Sequence, residues 1–122
     1  MMANEIKIQC DMSLTKGGLD YRWAMGRQSL TQTGTLIKDI VVSIATSETT
    51  IAVDDVGTPG FVALMNLDDT NYVQWGVATT VYTGRMIALG QVRPFQLDAG
   101  VQDLYLKANT AACEVRIVVF EL

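Results

Sequence analysis

Apolar and polar residues alternate along most of the chain with a period of two. In EIKIQCDM (Glu5–Met12), Ile6, Ile8, Cys10 and Met12 fall on one face and Glu5, Lys7, Gln9 and Asp11 on the other. That is the pattern of a half-buried strand. TKGG (Thr15–Gly18) reads as a turn, because paired glycines permit the positive φ of tight reversals. Tyr21–Gly34 alternates less cleanly, and Gly26 predicts a bulge or bend within it. Leu36–Ala45 contains IVVSI, whose β-branched density favours a buried strand over a helix. Ser47–Asp55 is a short strand with a polar entry, punctuated by VGTPG at Val56–Gly60. The segments FVALMNL, YVQWGV, TTVYTGRMIAL, VRPFQL, DLYLKA and CEVRIVVFEL complete the series.

Turn signals recur every eight to twelve residues, and no segment keeps a helical period over three turns. The fold class is therefore all-β: one antiparallel β-sandwich domain over residues 1–122 with about 8–10 short strands, the jelly roll being among the expected forms. A chain of 122 residues can bury a single core without disulfides or a metal. With 49% apolar and 18% charged residues it has the composition of a folded globular protein.

The segment NLDDTNYVQWG (Asn66–Gly76) concentrates the candidate chemistry. Phe61, Ala63, Met65 and Leu67 share one face before it, and Val73, Trp75 and Val77 share one after it. This predicts a hairpin whose four-residue connection is Asp68, Asp69, Thr70 and Asn71. Asn66 and Tyr72 flank the connection. Asp and Asn favour such turns because their side chains bond the local backbone. As calcium ligands, Asp68, Asp69 and Asn71 fail the spacing of a helix–loop–helix site, so no metal or cofactor is assigned. The aromatics Trp23, Tyr72, Trp75 and Tyr82 are candidates for an interface or for a sugar- or receptor-binding patch, although the parity of Trp75 points to burial.

Charge and residue usage narrow the functional classes. The net charge of −4 argues against phosphate backbones, so no direct nucleic-acid contact is expected. The absence of histidine removes the usual general base and the Ser-His and Cys-His nucleophile pairs. A small hydrolase built on Asp68, Asp69 or Asp54 lacks a positioned nucleophile, so no enzyme is expected. Cys10 and Cys113 share parity with apolar residues and read as ordinary buried hydrophobes rather than a disulfide pair. MMANEIKIQC is not a secretory signal, and no apolar run is long enough to span a bilayer.

The phrase N-L-D-x-T-N-Y-V-x-x-G (Asn66, Leu67, Asp68, Thr70, Asn71, Tyr72, Val73, Gly76) resembles one seen in small virion proteins of tailed double-stranded-DNA bacteriophages. Pro94-Phe95 with Leu97, LYLKANT (Leu104–Thr110) and an apolar closing strand ending in Glu121 follow in the same order. LTKGGL (Leu14–Leu19) and QTG (Gln32–Gly34) also fit, so the likeness spans most of the chain. The resemblance implies a non-enzymatic β-sandwich or jelly-roll component of the virion, made in the host cytoplasm. A head decoration, cement or minor capsid protein is the leading expectation, and a neck, collar or tail component the alternative. Its implied partners are copies of itself, as a trimer or other ring, and shell proteins such as the major capsid protein. The apolar ends MMANEI and VVFEL are expected to form ordered contacts.

Overall fold

Gly17 and Gly18 reverse the first strand onto the second. The computed structural model describes residues 5–98 and 100–122, and within it β1 (Ile6–Lys16) pairs antiparallel with β2 (Leu19–Leu30). Lys16 faces Leu19 directly across a two-residue turn, where Gly17 takes a φ of 60°. Gly26 marks the predicted bulge. Gln9 faces Arg27 but Asp11 faces Ala24, so the register slips at Gly26, which adopts a φ of 74°. The alternation expected of β1 is only partly realised as burial. Ile6 is buried and Ile8 and Cys10 partly so, but Met12 and Leu14 are exposed.

The chain divides into two compact units, Met1–Thr33 and Gly34–Leu122. The first is the β1–β2 hairpin. The sandwich that the strand pattern extended over all 122 residues occupies the second. It is built from β3 (Ile37–Ile44), β4 (Thr49–Ala52), β5 (Pro59–Asn66), β6 (Val73–Gly76), β7 (Gly84–Met86), β8 (Gln91–Gln96), β9 (Asp103–Ala108) and β10 (Cys113–Glu121). A short 3-10 turn at Asp54–Val56 joins β4 to β5. The expectations for Met1–Asn4 lie outside the described residues.

Eight strands form two four-stranded antiparallel sheets, ordered β3-β10-β5-β8 and β4-β9-β6-β7. The pairing is nested: β3 with β10, β4 with β9, β5 with β8 and β6 with β7. Folding the chain in this way brings inward-facing residues of both sheets into one core. Val62, Leu64, Val115, Ile117 and Val119 come from the first sheet, and Val73, Met86, Leu104, Leu106 and Ala108 from the second. Strand parity selects these residues, with alternate positions of β9 and β10 buried. Pro94 sits in β8, an edge strand, where its missing N–H costs no interior ladder bond. Cys113 is buried in the core, Cys10 is partly exposed, and both are free thiols.

The hairpin expected at Asp68–Asn71 does not form. β5 belongs to the first sheet, paired with β10 and β8, whereas β6 belongs to the second, paired with β7 and β9. The connection is a corner between sheets. Period-two alternation places the core face of β6, Val73 and Trp75, but misassigns β5. Val62, Leu64 and Asn66 are buried, whereas Ala63 and Met65 of the expected face are only partly buried, because both faces of β5 are apolar. Nor does alternation carry information on which strand each arm pairs with.

Candidate functional site

Asn66 organises the corner. It is the one buried polar side chain of the core among the described residues. Its Nδ2 donates to the carbonyls of Asn71 at 2.9 Å, Ile87 at 3.2 Å and Met86 at 3.4 Å, and its Oδ1 accepts the Asp68 N–H at 3.0 Å. A carboxamide suits this position because it supplies two donor hydrogens and an acceptor without charge. Two residues on, Asp68 Oδ2 accepts the amides of Thr70 at 3.0 Å and Asn71 at 2.6 Å. These two amides, Asn71 first, hold the Asp68 carboxyl below its ordinary range against a smaller opposing effect of desolvation.

The corner also fastens its neighbours. Asp68 O accepts the Leu89 amide, the Tyr72 amide donates to Asn109 Oδ1 at 3.1 Å, and the Thr110 hydroxyl donates to Asn71 Oδ1. Asp69 accepts the Thr70 hydroxyl at 3.0 Å. Asn66, Asp68, Asp69, Thr70, Asn71 and Tyr72 thus belong to one hydrogen-bonded knot at the corner between β5 and β6. Nearby Cys113 has its thiol pushed up by burial, with a smaller contribution from the negative Asp68. Among the described residues, no three His, Cys, Asp or Glu side chains gather as a metal-ligand set.

The four aromatic candidates do not make one patch. Trp75 lies half-buried against the core, its ring 5.3 Å from that of Phe95 across the two sheets. Gly84 faces it in register, and a Cβ there would strike the indole. Tyr72 instead stacks under the Arg85 guanidinium, 4.5 Å from its ring centre. Tyr82 donates its hydroxyl to Glu48 at 2.8 Å. Trp23 belongs to the hairpin and is 54% exposed.

Two features escaped the strand pattern. Glu48, a single acidic residue in a polar loop, accepts the Thr79 hydroxyl at 2.7 Å, the Thr80 amide at 2.7 Å and the Tyr82 hydroxyl, clamping the β3–β4 loop to the β6–β7 loop. These donors, Thr79 foremost, lower the Glu48 carboxyl, while desolvation and the Glu48 contact raise the Tyr82 phenol. Nothing in the local sequence identifies that clamp, since its partners are more than thirty residues away.

The second feature is the apolar face of the hairpin. Met12 lies opposite Trp23 and Leu14 opposite Tyr21, and directly opposed residues share a face. With Leu19 and Met25 they make six large side chains, each 41–59% exposed. The imperfect alternation over Tyr21–Gly34 did not single this face out, although Trp23 was among the aromatics expected at an interface or ligand patch.

Comparison with known proteins finds no matching family model, no matching curated protein and no matching solved structure. No helix among the described residues is long and apolar enough to cross a membrane.

Proposed function

We propose that the chain is a non-enzymatic structural subunit of a tailed-phage particle, a head decoration or minor capsid protein that assembles through its hairpin. The exposed apolar face of β1 and β2 carries this reading. A two-stranded hairpin is marginal in water by itself, and a contiguous exposed apolar surface marks a protein–protein contact. The nested order of the eight sandwich strands supports the jelly-roll form of the fold, in which two interleaved Greek keys close a rigid body. The polar groups that drew attention in the sequence, Asp68, Asp69, Asn71 and Tyr82, are engaged in holding loops together, consistent with a rigid building block. The resemblance in the Asn66–Gly76 phrase supplies the phage context.

Quantitative mass spectrometry of purified particles tests the proposal, with heads and tails fractionated to separate decoration from a neck or tail position. The chain is expected in the head fraction at multiple copies per particle. Its absence from particles at stoichiometric levels refutes the role.

A further inference from the structure

The hairpin and the sandwich differ in charge. Residues 1–33 contain four basic and three acidic side chains, for a net +1, whereas residues 34–122 contain five basic and ten acidic ones, for a net −5. Taken over whole units, this distribution disfavours the encounter of two sandwiches and favours the encounter of a hairpin with another copy's sandwich.

The sandwich also offers a surface to receive an apolar arm. On the β3-β10-β5-β8 sheet the register slips between Val62 and Leu64. Val62 faces Phe95 and Leu64 faces Val92, leaving Ala63 opposite both Arg93 and Pro94. The small side chain at 63 and the bulge open a groove of about 300 Å³ between β5 and β8. Met65, Pro94 and Val118 supply apolar walls, with Arg93 and Arg116 beside them. Arg116 is held by Asp39 through two hydrogen bonds, of 2.9 and 2.6 Å. Arg93 has no carboxylate partner among the described residues. An unpaired guanidinium beside an apolar groove is suited to an aromatic ring. On the same sheet Ile37 and Val41 are exposed as well.

We infer that the apolar face of one copy's hairpin docks on the β3-β10-β5-β8 sheet of a second copy, with Tyr21 and Trp23 at the groove between β5 and β8. This rests on the assembly role proposed above and names its partner. Six side chains about half exposed, the aromatics among them of 150–250 Å² each, provide roughly 500–600 Å². That is most of the roughly 800 Å² per partner of a stable interface. The contact joins two different surfaces, so it is heterologous: each copy gives one arm and receives one, and the assembly closes as a ring or propagates.

The full chain is examined by sedimentation equilibrium up to about 100 µM, alongside an arm variant (Tyr21→Ala with Trp23→Ala) and a groove variant (Ala63→Glu), with circular dichroism to verify folding. Wild type is expected to associate and each variant to be monomeric. An equimolar mixture is expected to give a one-to-one dimer and nothing larger, because the intact arm of the groove variant meets the intact groove of the arm variant. Should Ala63→Glu unfold, Arg93→Glu, at an exposed wall, serves instead, with association at least tenfold weaker. A monomeric wild type, a groove variant that associates like wild type (arm against arm, or a site elsewhere), or a mixture that stays monomeric overturns the inference. None of these outcomes bears on whether the chain is found in particles, so the two proposals fail separately.

Discussion

Replacing Asn66 tests whether the corner is a structural knot. In Asn66→Ala, three strong hydrogen bonds are lost: two from Nδ2, to Asn71 O and Ile87 O, and one to Oδ1 from the Asp68 amide. At about 1 kcal/mol net for each, the loss is about 3 kcal/mol. The small cavity left at a fully buried site adds to it. Asn66→Asp keeps the shape but turns two donors into acceptors facing carbonyl oxygens, so it is expected to destabilise at least as much at neutral pH. Urea unfolding followed by far-ultraviolet circular dichroism should show a lower midpoint with unchanged slope. In thermal scans the shift should be on the order of 10 °C or more. A loss below about 1 kcal/mol for either variant would refute the assignment of these bonds, since water would then be replacing the side chain at no net cost.

Three further outcomes follow from the sandwich. Ile117→Ala, in the centre of β10 with no exposed surface, should cost about 2–5 kcal/mol by denaturant titration. Gly76→Ala should destabilise measurably despite the small change, because the added Cβ meets the Val81 carbonyl on the backbone; thermal denaturation checks it. The carboxyls of Asp39, Glu48 and Asp68 all have lowered pKa values in the fold, so their contribution is complete above the ordinary carboxyl range, near pH 4–5, and is lost as pH falls through the folded values. Stability measured from pH 6 down to 2 should therefore fall less steeply for Glu48→Gln than for wild type, and an identical slope would remove Glu48 from the account.

How far the sequence was legible depends on the range of the interaction. Alternation located β1 and β10 and selected the buried face of β10, because a side chain's face is set by its immediate neighbours; on β1 the expected face is withdrawn from solvent only at Ile6, Ile8 and Cys10. Gly17-Gly18 and Gly26 placed a turn and a bulge for the same reason. Partner choice was not legible. Asp68–Asn71 has the length and residue types of a hairpin loop, and only the pairing of β5 with β10 and β6 with β9 makes it a corner. The role of Asp68 in binding local amides was readable, whereas the Asn66 contacts to Met86 and Ile87 join positions some twenty residues apart. Trp23 was read as an interface aromatic and is exposed, but the extent of the apolar face around it was hidden, because alternation shows that a face is apolar and not whether anything covers it.

The nested strand order has a kinetic consequence. β10 lies between β3 and β5, yet it is the last strand of the sandwich to leave the ribosome. Until it does, β3 has no neighbour in its sheet, and β5 lacks one of its two. Pairing over such sequence separations is slow, on the scale of milliseconds to seconds, whereas a hairpin such as β1–β2 closes in microseconds. The newly made chain therefore displays its apolar arm well before the sheet that would receive it in another copy exists. If the arm docks as proposed above, nascent chains would offer one another no sheet to receive it, and assembly would wait until each sandwich has closed.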